Sequence, residues 1–250
     1  MRKQIKKILF FLILAVFLIA LAVVSFTVFF DQAVIARRGT IYHVPSSEKV
    51  VALTFDDGPS PKWTPEILDV LKAKQAKATF FMLGEHVEEY PEVARRVAAE
   101  GHEIGNHTYD HHTLIYYKTP ELEKELNDAQ AAIYKATGVT TKYFRPPKAW
   151  LTDNEKKDIK RMGYEVILWS LNSKDWVTFD DRFIVKYLLH YVQPGDILLF
   201  HDSGGVFKTE GGNRKETVKA VSRLIDKLRE RGYRFVTISE LLKLQVKDGK

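Results

Sequence analysis

Val50-Val51-Ala52-Leu53-Thr54-Phe55-Asp56-Asp57-Gly58-Pro59 runs from an apolar stretch straight into two adjacent carboxylates and then into a Gly-Pro turn. A short apolar run bounded by turn residues reads as a buried strand, and the turn brings its end to the surface. The paired carboxylates therefore stand at the mouth of that strand. Side chains alternate across a strand, so Asp56 and Asp57 are suited to different jobs, one holding a metal and the other handling a proton. Taken alone, the stretch also reads as an Asp-rich turn capping a strand. The rest of the chain has to decide.

Outward from this stretch, apolar runs alternate with amphipathic ones. Strands are expected near Val50 to Phe55, Ala78 to Leu83, His102 to Asn106, Lys142 to Arg145, Tyr164 to Ser170, Asp196 to Phe200 and Arg234 to Ile238. Helical patterns fall near Thr64 to Lys74, Pro91 to Glu100, Thr119 to Ala136, Thr152 to Met162, Asp181 to His190 and Glu216 to Arg231, with Gly101, Gly138, Gly163 and Gly232 in helix-stop positions. Strand and helix alternating in this way call for an α/β protein with a mostly parallel sheet, either an open doubly wound sheet or a closed barrel.

With 250 residues, 45% of them apolar, the chain can build one sizeable domain or two small ones and is not a disordered polymer. The absence of cysteine excludes disulfides, thiolate zinc sites, a thiol nucleophile and a lipid-modified Cys anchor. Of the formal +6 charge, Arg2, Lys3, Lys6 and Lys7 carry +4 and Asp31, Arg37 and Arg38 together +1, leaving only +1 from Gly39 onward, so a nucleic-acid partner is not expected. After the basic start, Ile8 to Phe30 is apolar apart from Ser25 and Thr27, and as a helix it would extend about 34 Å, enough to cross a bilayer core. Ala20-Leu21-Ala22 also reads as a signal-peptidase site, but the apolar run continues past it. Residues 1–30 are therefore expected to be a basic end plus an uncleaved single-pass anchor, 31–49 a linker and 50–245 the functional domain. The lysines precede the span, which puts that domain on the extracytoplasmic side of the cell membrane.

The chemistry-bearing residues collect at strand ends. His107 and His111, in Gly105-Asn106-His107-Thr108-Tyr109-Asp110-His111, are four apart, and one helical turn would put both imidazoles on the same face, with His112 as a neighbour. Two imidazoles and a carboxylate make an open facial metal site suited to hydrolysis. Arg145, before Pro146 and Pro147, has the fork to hold Asp56 ionised and aimed. His201 ends the sixth strand as the natural proton donor, with Asp175 able to orient its ring and keep it protonated. Asp56 with Asp57, His107, Arg145, Asp175 and His201 each come at or just past the C-terminal end of a different expected strand, where parallel α/β folds place their active sites.

With these residues in hand, the chain from Val50 to Leu244 resembles the polysaccharide deacetylases of the NodB-homology type, carbohydrate esterase family 4. Five motifs stand in the family's order: Thr54 to Pro59, His107 to His111, Arg145 to Pro147, Asp175-Trp176 and Leu199 to His201. The resemblance implies a distorted (β/α)7 barrel and one divalent metal bound by Asp57, His107 and His111. It also implies Asp56 as general base, His201 as general acid, and N-deacetylation of N-acetylglucosamine units in an acetylated glycan such as peptidoglycan or chitin. In that mechanism a backbone N–H near Pro147 helps to stabilise the oxyanion. Zinc suits these ligands best, with cobalt, nickel and manganese as alternatives. Trp176, Trp150, Tyr109 and Leu199 are expected to line the sugar groove. The chain departs from the family at Lys148-Ala149-Trp150, where an aromatic and a glycine are usual, and at Asn172, where Asp is common; Lys148 would favour an acidic polymer. The competing readings are an O-acetyl esterase of the xylan type and a catalytically silent, membrane-tethered glycan-binding domain.

Overall fold

The computed structural model describes residues 2–29, 33–178, 180–204 and 212–245 of the chain. It divides into two compact units, Met1–Gln32 and Ala33–Lys250. The first is carried by helix α1 (Arg2–Phe29). Its Lys3–Ala22 segment, 20 residues of mean hydropathy 2.6 with no part buried, is long and apolar enough to cross a membrane. Met1, Phe30, where the apolar run ends, and Asp31, where the linker was expected to begin, lie outside the described residues.

The second unit opens with the helical turn α2 (Ala33–Ala36), whose Ala33 is fully buried. The compact unit therefore starts ahead of Val50. Its strands are β1 (Val50–Gly58), β2 (Ala78–Met82), β3 (Glu103–Asn106), β4 (Tyr143–Phe144), β5 (Glu165–Val166), β6 (Leu171–Asn172), β7 (Asp196–His201) and β8 (Arg234–Phe235). Around them stand α3 (Trp63–Ala73), α4 (Gly84–Glu89), α5 (Pro91–Ala99), α6 (Thr119–Thr137), α7 (Asp153–Arg161), α8 (Asp181–Tyr191), α9 (Lys215–Glu230) and α10 (Ile238–Lys243). All pairings between these strands are parallel, in the order β5-β4-β3-β2-β1-β7-β6, with β8 against the start of β1. This is the curled, incompletely closed sheet of a distorted (β/α)7 barrel.

Every residue of β1 is buried, and its two faces do different work. Leu53 and Phe55 join Phe80 and Phe200 in the core beneath α3, α8 and α9. Ala52 belongs to the opposite, interior cluster, and on that same face Thr54 and Asp56 meet the buried guanidinium of Arg145. The covering helices are amphipathic. In α9, Thr217, Ala220, Val221, Leu224, Ile225 and Leu228 recur at three- and four-residue intervals and are all buried. Gly138, at φ 74°, ends α6 with its N–H on Tyr134 O, as expected of a helix-stop glycine.

The strand expected over Tyr164 to Ser170 is split. β5 pairs with β4 at one edge of the sheet and β6 with β7 at the other, so residues 167–170 cross the gap between the two edges. Among the described residues no continuous strand takes the carbonyls of this crossing, and two arginines do. Arg145 donates to Ile167 O and Leu168 O, and Arg37 to Trp169 O and Ser170 O, all within 3.1–3.3 Å. Ile41 adds a parallel bridge to Ile167, and His43 an antiparallel one to Asp196. Residues 33–44 are thus tied into the barrel wall where a connector was expected.

Candidate active site

The end of β1 departs from simple alternation. Its pairing with β2 shifts register between Asp56 and Gly58, and Asp57 takes the left-handed φ of 74°. This bulge turns Asp57 back toward the interior. Both carboxylates consequently approach one imidazole, with Asp57 Oδ1 3.4 Å and Asp56 Oδ2 3.9 Å from His107 Nε2. What separates their roles is their partners. Asp56 Oδ1 accepts from Arg145 Nη1 at 2.7 Å, whereas Asp57 Oδ1 faces His111 Nε2 at 3.3 Å.

His107 follows β3 and is buried, with Nδ1 2.7 Å from Arg145 O. A carbonyl can only accept, so Nδ1 carries a proton and Nε2 is the atom that faces Asp57. His111 reaches the same point without a helix. Thr108 and His111 both have positive φ, 74° and 65°, and the loop is pinned by Thr108 N–H to Asn106 Oδ1 and His111 N–H to Thr108 Oγ1. The helical turn expected from the His-x-x-x-His spacing is therefore replaced by a strained loop that achieves the same convergence. His112 stays outside and faces Asp110.

One oxygen of Asp57 and one nitrogen each of His107 and His111 lie within 4.8 Å of one another. Burial acts to raise the Asp57 pKa, but the imidazoles of His111, His107 and His201 outweigh it and hold the carboxylate well below its usual range. Burial brings His111 down to about 4, the neighbouring His107 and Lys148 adding to the effect against Asp57. A carboxylate oxygen and two imidazole nitrogens converging on one point are the donor set a divalent ion requires.

Arg145 is fully buried beyond β4. It donates to Thr54 Oγ1 and Asp56 Oδ1 as well as to the two crossing carbonyls, and lies 4.0 Å over the Phe81 ring. Such a charge is tolerable only with nearly every donor engaged. It fixes one oxygen of Asp56 and leaves the other directed toward His107.

On the far side of β1, Asp175 and His201 form a second polar pair. His201 Nδ1 stands 2.7 Å from Asp175 Oδ1, and its backbone N–H donates to Oδ2 at 2.9 Å. Burial opposes the charged imidazole, yet Asp175 more than compensates and raises the His201 pKa. Burial likewise opposes the Asp175 carboxylate, but His201 and Arg214 bring it to about 2. Two partners of this pair escaped the sequence reading. Thr217 Oγ1 donates to Asp175 Oδ2 at 2.9 Å, and Arg214 donates to Ser203 O and Gly204 O at 2.8 and 2.9 Å, bracing the loop after His201. A hydroxyl among the apolar positions of α9 was the signal for Thr217.

A third carboxyl was also missed. Asp202 is buried, receives Thr64 Oγ1 on Oδ2 at 2.6 Å and leaves Oδ1 without a hydrogen-bond partner among the described residues. Burial, with Asp57 nearby, raises its pKa to about 7 against the pull of Thr64. Thr64 in turn accepts Ser60 N–H, so Asp202 ties the loop after Asp57 to the end of β7. Gly58 is required there, because a Cβ would lie 2.2 Å from Asp202 Oδ2.

The remaining expected residues occupy the rim and wall. Lys148 and Trp150 are exposed, Trp176 is half-buried, and Pro147 and Leu199 are buried, with Leu199 among the interior apolar residues. Lys148 and Ala149 adopt positive φ of 56° and 60°. The N–H groups of Ala149 and Trp150 turn back onto Pro146 O and Pro147 O. Proline has no N–H, which leaves that of Lys148 without a backbone partner among the described residues.

The sequence pattern of the family described as polysaccharide deacetylase matches residues 43–167. The chain is 39% identical over 204 residues to a peptidoglycan-N-acetylglucosamine deacetylase of Bacillus cereus, an alignment spanning 81% of this chain and 92% of that protein. It is 36% identical to a peptidoglycan-N-acetylmuramic acid deacetylase of Bacillus subtilis across 79% of this chain and 40% of the relative. Among solved structures, a peptidoglycan N-acetylglucosamine deacetylase in complex with an N-hydroxybenzamide superposes with a TM-score of 0.77 at 34% identity, covering 82% of this chain and 93% of that one.

Proposed function

This chain belongs to the polysaccharide deacetylases of carbohydrate esterase family 4, and we propose that it is a metal-dependent hydrolase removing N-acetyl groups from the amino sugars of peptidoglycan. The observation that carries the reading is the convergence of Asp57, His107 and His111 within 4.8 Å, between an arginine-held carboxylate on one side and a carboxylate-held imidazole on the other. Asp57, His107 and His111 would hold one divalent ion, zinc by the chemistry of the donors. Bound there, such an ion supplies Lewis-acid polarisation of the amide carbonyl and acidifies water.

The protein's own groups account for the proton movements. Asp56 takes the proton of the attacking water on Oδ2, because Oδ1 is engaged by Arg145. His201 delivers a proton from Nε2 to the departing amine, because Nδ1 is engaged by Asp175, whose charge keeps the ring protonated. The Lys148 N–H donates to the oxygen that gains negative charge. Acetate leaves with no covalent bond to the protein. Helix α1 tethers the domain to the cell membrane, with the active site on the extracytoplasmic side where peptidoglycan lies.

The test is acetate release by the Ala33–Lys250 unit from peptidoglycan, chitooligosaccharides, poly-N-acetylglucosamine and acetylxylan, before and after chelation. Metal-dependent acetate from peptidoglycan is expected. Acetate from acetylxylan alone would make the protein an O-acetyl esterase. Binding of glycans without acetate release by the metal-loaded protein would make it a silent binding domain.

A further inference from the structure

The corner between β2 and α4, residues 82–86, bonds to both loops that carry the metal ligands. Leu83 N–H donates to Gly58 O at 2.9 Å, and the His86 ring sets Nδ1 2.7 Å from Asp57 O. On the other side, Gly84 N–H donates to Thr108 O at 3.0 Å, Glu85 N–H donates to Tyr109 O at 2.9 Å, and Met82 O accepts His107 N–H at 3.0 Å. Consecutive residues of one corner thereby tie the Asp57 turn to the loop of His107 and His111.

The corner is itself braced. α6 packs so closely that a Cβ at Gly84 would lie 2.7 Å from Ala129 Cα and 2.5 Å from the Tyr109 ring. Tyr109 gives its hydroxyl to Glu88 of α4 at 2.9 Å and its N–H to Glu125 of α6 at 3.0 Å. Packed elements, and not the ligands alone, set the gap between the two loops.

Bracing is needed because the loops are not relaxed. Asp57 and Thr108 both have φ of 74°, and a left-handed residue with a Cβ persists only where its surroundings over-determine it. The three carbonyls of the Asp57 turn are all taken: Asp56 O by Asp202 N–H, Gly58 O by Leu83 N–H and Asp57 O by His86. The first two partners are main chain, present whatever side chains stand there. The third is a side chain, 1% exposed, and it holds the ligand-bearing residue itself. A carbonyl only accepts, so Nδ1 of His86 carries a proton and donates it.

We propose that His86 is a positioning residue for the metal centre. By holding the Asp57 main chain in its left-handed turn, it aims Oδ1 at the point where the Nε2 atoms of His107 and His111 converge. The inference rests on the metal-dependent deacetylase reading and adds to it a residue that none of the ligand or proton-transfer roles includes.

Zinc affinity, measured by competition with a chromophoric chelator on the full-length protein in detergent, tests it without substrate. His86→Leu keeps bulk and removes the donor, and should raise the zinc Kd roughly 10- to 100-fold, the scale for partners that orient metal ligands. His86→Asn, whose amide nitrogen can stand where Nδ1 stood, should restore most of the affinity. His86→Gln, whose amide reaches the Nε2 position instead, should not. The loss of kcat in His86→Leu should shrink as zinc is raised, with KM for the glycan unchanged, a pattern that a general loss of folding would not give. A wild-type Kd in His86→Leu would overturn the proposal. So would equal affinities in the Asn and Gln variants, the comparison that decides if His86→Leu does not fold. A wild type that binds no zinc would overturn it together with the ligand assignment. Zinc bound by the wild type with no acetate released from any glycan would remove the deacetylase reading and leave the positioning role standing on the Kd series.

Discussion

Asp175 holds His201 at two points, with Oδ1 2.7 Å from the ring Nδ1 and Oδ2 accepting the backbone N–H at 2.9 Å. The first contact sets the ring's charge and the second its position, so a substitution that keeps shape and removes charge separates them. In Asp175→Asn the imidazolium loses its counter-charge and the His201 pKa falls. The alkaline limb of kcat/KM should then move to lower pH while the acid limb stays in place. The same pair has a signed effect on stability. His201, raised above 6.5, contributes below that value and loses its contribution as pH rises through the folded pKa; Asp175, lowered from 3.8 to about 2, contributes above 3.8 and loses it as pH falls. The Tm difference between wild type and Asp175→Asn should be widest between 3.8 and 6.5. A difference independent of pH would show that the pair is not charged in the folded protein.

Arg145 should be intolerant even of lysine. A single ammonium cannot span Asp56, Thr54 and two carbonyls of the 167–170 crossing, so Arg145→Lys should lower kcat by about 10²-fold or more through a misaimed Asp56. Arg145→Met leaves Asp56 buried without a counter-charge and should cost about 3–5 kcal/mol in urea unfolding. Normal turnover in either variant would detach Arg145 from the base.

The order of elements was readable because each apolar run in this chain is short, flanked by turn residues and followed by an amphipathic stretch, and the site followed from the position of polar residues at strand ends. What escaped depends on tertiary partners. The 167–170 crossing is as apolar as a strand, and only the edges it bridges and the arginines that take its carbonyls reveal it. His-x-x-x-His spacing predicts convergence equally from a helix or from a loop with two left-handed residues. Asp202 resembles an exposed loop acid in sequence, and its burial arises from Gly58 and Thr64, far away along the chain. The Ala33 to His43 stretch carries little periodicity, because single residues rather than a regular element tie it to the barrel.

That last point makes truncation a quantitative test. A domain beginning at Gly39 lacks buried Ala33 and both Arg37 bonds to the crossing, whereas one beginning at Ala33 keeps them. Two part-buried hydrogen bonds at roughly 0.5–1.5 kcal/mol each, with the burial of Ala33, should give the longer form a Tm higher by a few degrees. Equal Tm values would return these residues to the role of a linker.

Ligand and proton-transfer groups should separate in metal analysis. His107→Ala and Asp57→Ala each remove a donor and should lose the ion on dialysis. His201→Ala should retain it while losing about 10²–10⁴-fold in rate, the range for a general acid. Full metal retention in both donor variants would overturn the ligand assignment.

Gly58 and Asp202 should be coupled. A methyl at Gly58 would meet Asp202 Oδ2 at 2.2 Å, and that oxygen cannot retreat freely because Thr64 Oγ1 holds it at 2.6 Å in a buried site. Gly58→Ala should therefore destabilise the fold by about 1–3 kcal/mol, the usual cost of overpacking. Asp202→Ala removes the obstructing carboxyl and opens the space the methyl needs, so the double variant should be more stable than the sum of the two single effects, with an interaction of about 0.5–3 kcal/mol. Urea unfolding of the four proteins measures it. Because Asp202 lies between the Asp57 turn and the end of β7, the cycle also reports on the catalytic geometry: Gly58→Ala should depress kcat, and adding Asp202→Ala should recover part of the loss. Additive stabilities, with no recovery of rate, would mean that Gly58 is chosen for its own backbone and not for the carboxyl packed against it.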